Sequence, residues 1–123
     1  MNHGSPVGMQ YLVRGEFVEE NIAGKPQSEA ISWIEMVIHP SLEMLDKAVK
    51  EKRITGGITS GVREGFFILE APSNEEVGKF LRNLPFWGAL KWNVTPLQTF
   101  RSAVDQDKAA FLQARAMMAT AHR

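Results

Sequence analysis

Apolar and polar residues alternate along the first regularly patterned stretch of the chain, Gln10 to Val18. Tyr11 and Val13 fall on one face of this stretch, while Arg14 and Glu16 fall on the other. A period of two residues is typical of a half-buried β-strand, because successive side chains point to opposite faces. The pattern therefore predicts a first strand whose charged residues face either a polar cavity or solvent.

The pattern becomes helical after a loop over 21–26, with Ser28 as a predicted N-cap and apolar residues three and four apart up to Ile38. Pro40 follows within the same run. Its ring crowds the preceding turn and it lacks a backbone N–H, so we expect a kink or short break there. Ser41 would then cap a second helical piece.

Two further strands are predicted over 53–60 and 66–71. Gly56 and Gly57 weaken the first of them and indicate a bulge or a close approach of ligand or backbone. The second is short, apolar and bounded by Gly65 and Pro72, as a buried strand is. A turn over 61–65 would connect the two, with Arg63 and Glu64 as solvated turn residues.

The next segment has the clearest helix start. Ser73 and Glu76 form an S-x-x-E capping box, and apolar residues at helical spacing continue to Leu84. Pro85 cannot continue the helix, and the alternation from Leu90 to Thr95 predicts a fourth strand.

The predicted order is β-α-β-β-α-β, the split arrangement of an α+β, ferredoxin-like fold. We expect residues 1–8 to form a flexible extension, residues 9–101 the domain and residues 102–123 an added C-terminal helix. That helix has a narrow apolar seam of Val104, Phe111 and Met118, so it is expected to pack on a neighbouring subunit or close one end of the sheet.

One face of such a sheet is covered by helices and the other is bare. Because an exposed apolar patch is unfavourable in water, we expect the bare faces of two copies to pair. The expected assembly is a dimeric α/β barrel, or a higher homo-oligomer, with a small-ligand cavity between sheet and helices.

Composition narrows the classes of partner. The chain has 123 residues, with 14 basic and 14 acidic side chains and zero formal net charge. There is no basic stripe for nucleic acid and no long apolar run for a membrane span. The absence of cysteine excludes disulfides and thiolate catalysis and is compatible with a cytoplasmic protein.

Three short motifs carry a resemblance to a known family: the EAPS run that enters a helix at Ser73, the Leu84-Pro85 pair followed by Phe86 and Trp87, and the closing run Val94 to Leu97. The chain resembles the muconolactone delta-isomerase family, within the dimeric α/β-barrel superfamily. The resemblance follows element order over 10–103 and motifs over 66–102. It implies an oligomer that shifts a double bond in an unsaturated lactone by proton transfer, without cofactor.

The resemblance also implies a proton-handling carboxylate early in the first long helix, here in the region from Glu35 to Glu43. His39 is a further base, since an imidazole titrates near neutral pH, and Glu35 lies one helical turn before it. The catalytic prediction is therefore His39, Glu35 and Glu43. The alternative is that His39 is a surface or capping residue and that Glu35 is solvated.

Other residues are predicted to bind substrate. Arg14, Lys91 and Asn93 lie on predicted strands and would hold a substrate carboxylate if they face the cavity, or would be ordinary surface residues if they face solvent. Aromatic side chains would line an apolar pocket, or belong to the core or a subunit interface. These are Trp33, Trp87 and Trp92.

No metal motif, phosphate-binding loop or catalytic triad is present in the sequence, so no cofactor is predicted. The predicted function is a cofactor-free, isomerase-like proton transfer on a small unsaturated lactone or related carbonyl compound. A cofactor-independent oxygenase and a non-catalytic oligomer that binds a small ligand remain alternatives. A cavity filled by Trp33 and Trp92, with His39 outside it, would favour the binding protein. An apolar, tryptophan-rich cavity would favour the oxygenase.

Overall fold

The computed structural model describes residues 8–19 and 23–121, so residues 1–7 of the predicted N-terminal extension lie outside it. Helices and strands alternate along the chain and end in one long helix. They are β1 (Met9–Phe17), α1 (Gln27–Trp33), a π-helical turn (Ile34–Ile38), α2 (His39–Lys50), β2 (Ile54–Ile58), β3 (Glu64–Ala71), α3 (Asn74–Arg82), a 3-10 turn (Trp87–Ala89), β4 (Leu90–Leu97) and α4 (Phe100–Ala121).

The strands form one four-stranded sheet in the order β2-β3-β1-β4. Each pair of neighbours is antiparallel. This confirms the predicted α+β class and is compatible with a ferredoxin-like fold. The two central strands are β1 and β3, so their register decides which side chains meet on each face of the sheet.

The core lies between one face of the sheet and the helices. Tyr11 and Val13 of β1 are fully buried there, beside Phe67 and Leu69 of β3. Val77 and Leu81 of α3 cover the same face. Alternation along β1 therefore separates a core face from an open face, as the sequence predicted. The prediction of a buried strand over 66–71 is wrong, because β3 alternates in the same way and exposes Ile68 and Glu70 on the open face.

Of the two outcomes predicted at Pro40, the short break is wrong, and the kink stays a prediction. Helical structure continues from Gln27 to Lys50, and the disturbance is taken up by a π-helical turn over Ile34–Ile38. A π turn lets the helix accommodate a residue that cannot make the regular i to i−4 bond. Ser28 is not the N-cap either, because α1 begins one residue after Pro26 and has no side-chain cap.

Ser41 has a different role from the predicted cap. It is completely buried, and its hydroxyl donates to the Val37 carbonyl at 2.7 Å. The same oxygen accepts the backbone N–H of Phe86 at 2.9 Å. Ser41 thus joins the long helical segment to the turn before β4.

One of the two hydrogen bonds of the capping box predicted at the start of α3 is present. The Ser73 hydroxyl accepts the backbone N–H of Glu76 at 3.3 Å. The Glu76 carboxylate pairs instead with Lys79 at 3.2 Å.

In β2, a side chain at Gly56 would collide with the Phe66–Phe67 backbone, which confirms the predicted close approach.

Two surfaces are left uncovered. On the open sheet face, Leu12, Phe66 and Ile68 lie next to one another across β1 and β3. Helix α4 begins two residues before the predicted Ser102, and its apolar side chains are exposed, Phe111 by 59%. Within the described ranges, no helix is long and apolar enough to cross a membrane.

Replacing Ser41 by alanine should destabilise the fold, because the buried N–H of Phe86 would lose its acceptor. The expected loss in the free energy of unfolding is about 1–3 kcal/mol. Urea denaturation followed by circular dichroism measures it. Ser32→Ala is the control, since this hydroxyl is exposed and donates to the Met36 sulfur at 3.6 Å. Equal stabilities for the two variants would contradict the role given to Ser41.

Candidate functional site

A cavity of about 340 Å³ lies between the sheet and the helical segment that precedes β2. This size is at the small end of the range for ligand pockets. Its walls come from β1, β3, β4, the π turn, α2 and the β2–β3 connection, and they are almost entirely apolar. The prediction of a cavity between sheet and helices is confirmed.

The floor of the cavity is a row of residues paired across the sheet. Gly15 of β1 stands opposite Gly65 of β3 and opposite Trp92 of β4. Gly65 in turn stands opposite Ile58 of β2. Gly65 leaves room above β3, and Gly15 gives the Trp92 ring its place beside that space, so the cavity depends on the register of these two glycines.

The two glycines differ in how much room surrounds them. A Cβ at Gly15 would lie 2.7 Å from the Trp92 ring and 2.9 Å from Leu90 Cδ2. A Cβ at Gly65 would meet only ordinary contacts, at 3.7 Å and beyond. Gly15 therefore lets the Trp92 ring lie across β1, while Gly65 borders the empty space.

Aromatic rings form the walls. Trp92 packs edge-on against Phe86 at 6.1 Å between ring centroids, and its indole N–H donates to the Trp87 carbonyl at 2.8 Å. Trp33 packs against Phe17 at 5.7 Å. These contacts orient the rings, so the walls are formed before any ligand binds.

The roof is helical. Ile34 and Ile38, at the two ends of the π turn, face the cavity, followed by Leu42 and Leu45 of α2. Single π-helical turns are frequent at functional sites. Here the turn lies directly over the glycine floor.

Arg63 and Glu64 are the charged residues among those described that line the cavity. The Glu64 carboxylate lies on the open face of the sheet with Arg14, whose Nη2 and Nε donate to one of its oxygens at 2.7 and 3.0 Å. This hydrogen bond and the charge of Glu64 raise the pKa of Arg14 above its usual range. Arg63 lies at the mouth, with its guanidinium 5.6 Å from the centre of the Phe17 ring.

The predicted catalytic residues are not at this cavity. His39, Glu35 and Glu43 are all exposed, and none of them lines it. They lie on the long helical segment, whose apolar residues face the sheet. Their predicted roles in proton transfer stay predictions.

The residues predicted to bind substrate are divided between two faces. Trp33 and Trp92 line the cavity. Arg14 stands opposite Asn93 on the open face instead, and Lys91 lies on the same face opposite Glu16; all three predicted residues are exposed. Trp87 lies outside the cavity, with the Arg82 guanidinium 5.1 Å from the centre of its ring. A binding role for these four residues stays a prediction.

Sequence reasoning missed the residues that create the cavity. It treated Gly65 as a strand boundary, Gly15 as one position in an alternation and Arg63 as part of a solvated turn. The sequence does contain a glycine on each of these two strands. It becomes meaningful only when the strands are paired in the correct register.

Within the described residues, no three His, Asp or Glu side chains are grouped so as to hold a metal ion.

No protein-family model matches the chain, and no curated protein sequence matches it closely enough to indicate a relationship. The resemblance to the muconolactone delta-isomerase family therefore stays a prediction.

Alanine at the two floor glycines should have opposite effects. Gly15→Ala should cost about 1–3 kcal/mol of unfolding free energy, because the methyl group displaces the Trp92 ring. Gly65→Ala should be neutral or stabilise by up to about 1 kcal/mol, since the site has room and the unfolded chain loses freedom. Thermal and urea denaturation measure both. A Gly65→Ala loss as large as that of Gly15→Ala would contradict this description of the floor.

Proposed function

We propose that this protein binds a small, largely apolar molecule in the cavity above Gly65, beside the Trp92 ring. The observation that carries the proposal is an open floor at Gly65, next to the Trp92 ring that covers Gly15, beneath oriented aromatic walls. A packed protein interior rarely leaves such a volume without a use, because apolar voids are unfavourable. Apolar walls with few polar groups are typical of small-molecule sites.

Binding is better supported than proton transfer at the predicted residues. A general base must come within hydrogen-bond reach of the proton it removes. His39, Glu35 and Glu43 are exposed and lie away from the cavity wall. Glu64 is the carboxylate residue among those that line the cavity, but its side chain is already paired with Arg14.

A cofactor-independent oxygenase is a second candidate, since an apolar cavity that contains Trp33 and Trp92 would hold an aromatic substrate away from water. Its reaction requires the same binding step as the first proposal. The binding measurement therefore comes before any assay of oxygen uptake.

The first test is isothermal titration calorimetry with 1-naphthamide, a neutral and flat apolar probe. The wild-type protein should bind it, and Gly65→Val should weaken binding about tenfold or more, because the added side chain occupies the cavity. Quenching of tryptophan fluorescence provides a second readout, since Trp33 and Trp92 line the cavity.

Gly57→Val is the matched control. Gly57 stands opposite Phe66 on the open face, and a Cβ there meets nothing within 4 Å. This variant should bind the probe as the wild type does. Absence of binding to the wild type, or equal weakening by both valines, would overturn the proposal.

We further propose that the protein associates with itself through its two uncovered surfaces, as a dimeric α/β barrel requires of the sheet. Leu12, Phe66 and Ile68 form an apolar group on the open face. Helix α4 exposes Phe111 and Met118 along one side. Isolated helices are marginally stable in water, so α4 gains most from a partner surface. With zero formal net charge, two copies repel each other little.

Sedimentation velocity over a range of concentrations tests the association. Ile68→Lys and Phe111→Lys should each lower the association constant about tenfold or more, because a charge enters an apolar contact. Gln113→Lys is the control on the exposed polar side of α4. A monomeric wild type at every concentration would contradict the proposal.

A further inference from the structure

We propose that the ligand of this cavity is a planar aromatic carboxylate, with its ring above Gly65 beside the Trp92 ring and its carboxylate on Arg63 at the mouth. This inference rests on the proposed binding function and specifies the chemical class of the ligand. It gives Arg63, which sequence reasoning left as a solvated turn residue, a role in specificity.

The walls favour an aromatic ring. Phe17, Trp33, Phe86 and Trp92 all border the cavity, and their rings are inclined to one another by 51–62° within each packed pair. Inclined rings offer both faces and edges to a guest, and aromatic pairs favour offset or edge-to-face contacts. A cavity of about 340 Å³ suits one or two fused rings.

The mouth carries a positive charge with unused donors. A guanidinium has five N–H groups, arranged to bind a carboxylate through two parallel hydrogen bonds. Arg63 makes one ion pair in the described structure, with Glu19 Oε2 at 3.4 Å from Nη1. That distance exceeds the 2.7–2.9 Å or so of strong charged hydrogen bonds, so a better-placed carboxylate can replace Glu19.

The acidic residue that lines the cavity does not provide a binding site for a cationic ligand. Glu64 is engaged by Arg14, and its side chain is only 14% exposed. Arg63 is 64% exposed and lies over Phe17, a wall residue. The cavity therefore presents a cation beside aromatic walls, which is the complement of an aromatic acid.

Calorimetry with 1-naphthoate and 1-naphthamide at neutral pH and low salt separates charge from shape, because the two probes are nearly equal in size. The wild-type protein should bind naphthoate about 10- to 100-fold more tightly than the amide, as expected for hydrogen bonds between charged groups. Arg63→Gln should remove this preference and leave binding of the amide unchanged.

Two further variants test the assignment of Arg63. Glu19→Gln should strengthen naphthoate binding several-fold, because it removes the carboxylate that competes for Arg63. Arg82→Gln is the matched control, since Arg82 lies over Trp87 and does not line the cavity. It should leave the preference for the acid intact.

The outcomes distinguish this inference from the proposed function. If neither probe binds, the binding function itself is overturned. If the amide binds as well as the acid, or if Arg63→Gln keeps the preference for the acid, the binding function stands and the carboxylate assignment is overturned.

Discussion

The register of β1 is the constraint on which the site depends. This central strand pairs with β3 on one side and β4 on the other, so Gly15 meets both Gly65 and Trp92 in a single row. A slip of one residue would turn these positions to the other face of the sheet. The cavity would then lose its floor and the Trp92 ring its place across β1. The register of β1 therefore determines both the strand pairing of the sheet and the space available to a ligand.

The helical side depends on a second, smaller constraint. Ser41 is buried and joins the long helical segment to the turn that carries Phe86, through bonds to both. Phe86 and Trp92 then form a wall of the cavity. A polar group that is fully hydrogen-bonded in a low-dielectric interior gives a definite position to the elements it connects. The roof and the wall are thus held at a set distance from the glycine floor.

The open face combines apolar and charged groups. Arg14 bridges Glu16 and Glu64 there, next to Leu12 and Phe66. Exposed ion pairs contribute little to stability. These three charged residues therefore matter mainly for which partner surface can pack on the open face. Glu64 also borders the cavity at the start of β3, but its carboxylate bonds Arg14 on the open face.

Local patterns in the sequence were enough to determine the strands, the Ser73 cap of α3 and the separation of β1 into a core face and an open face. Those features depend on neighbouring residues, through side-chain alternation and a local hydrogen bond. The continuous helix through Pro40 could not be read in this way, because the π turn and the Ser41 bond to Phe86 involve packing against a distant turn. The same holds for Gly15, Gly65 and Arg63. They come from different parts of the chain, and only tertiary pairing brings them to one cavity, since register is a relation between strands and not a property of either.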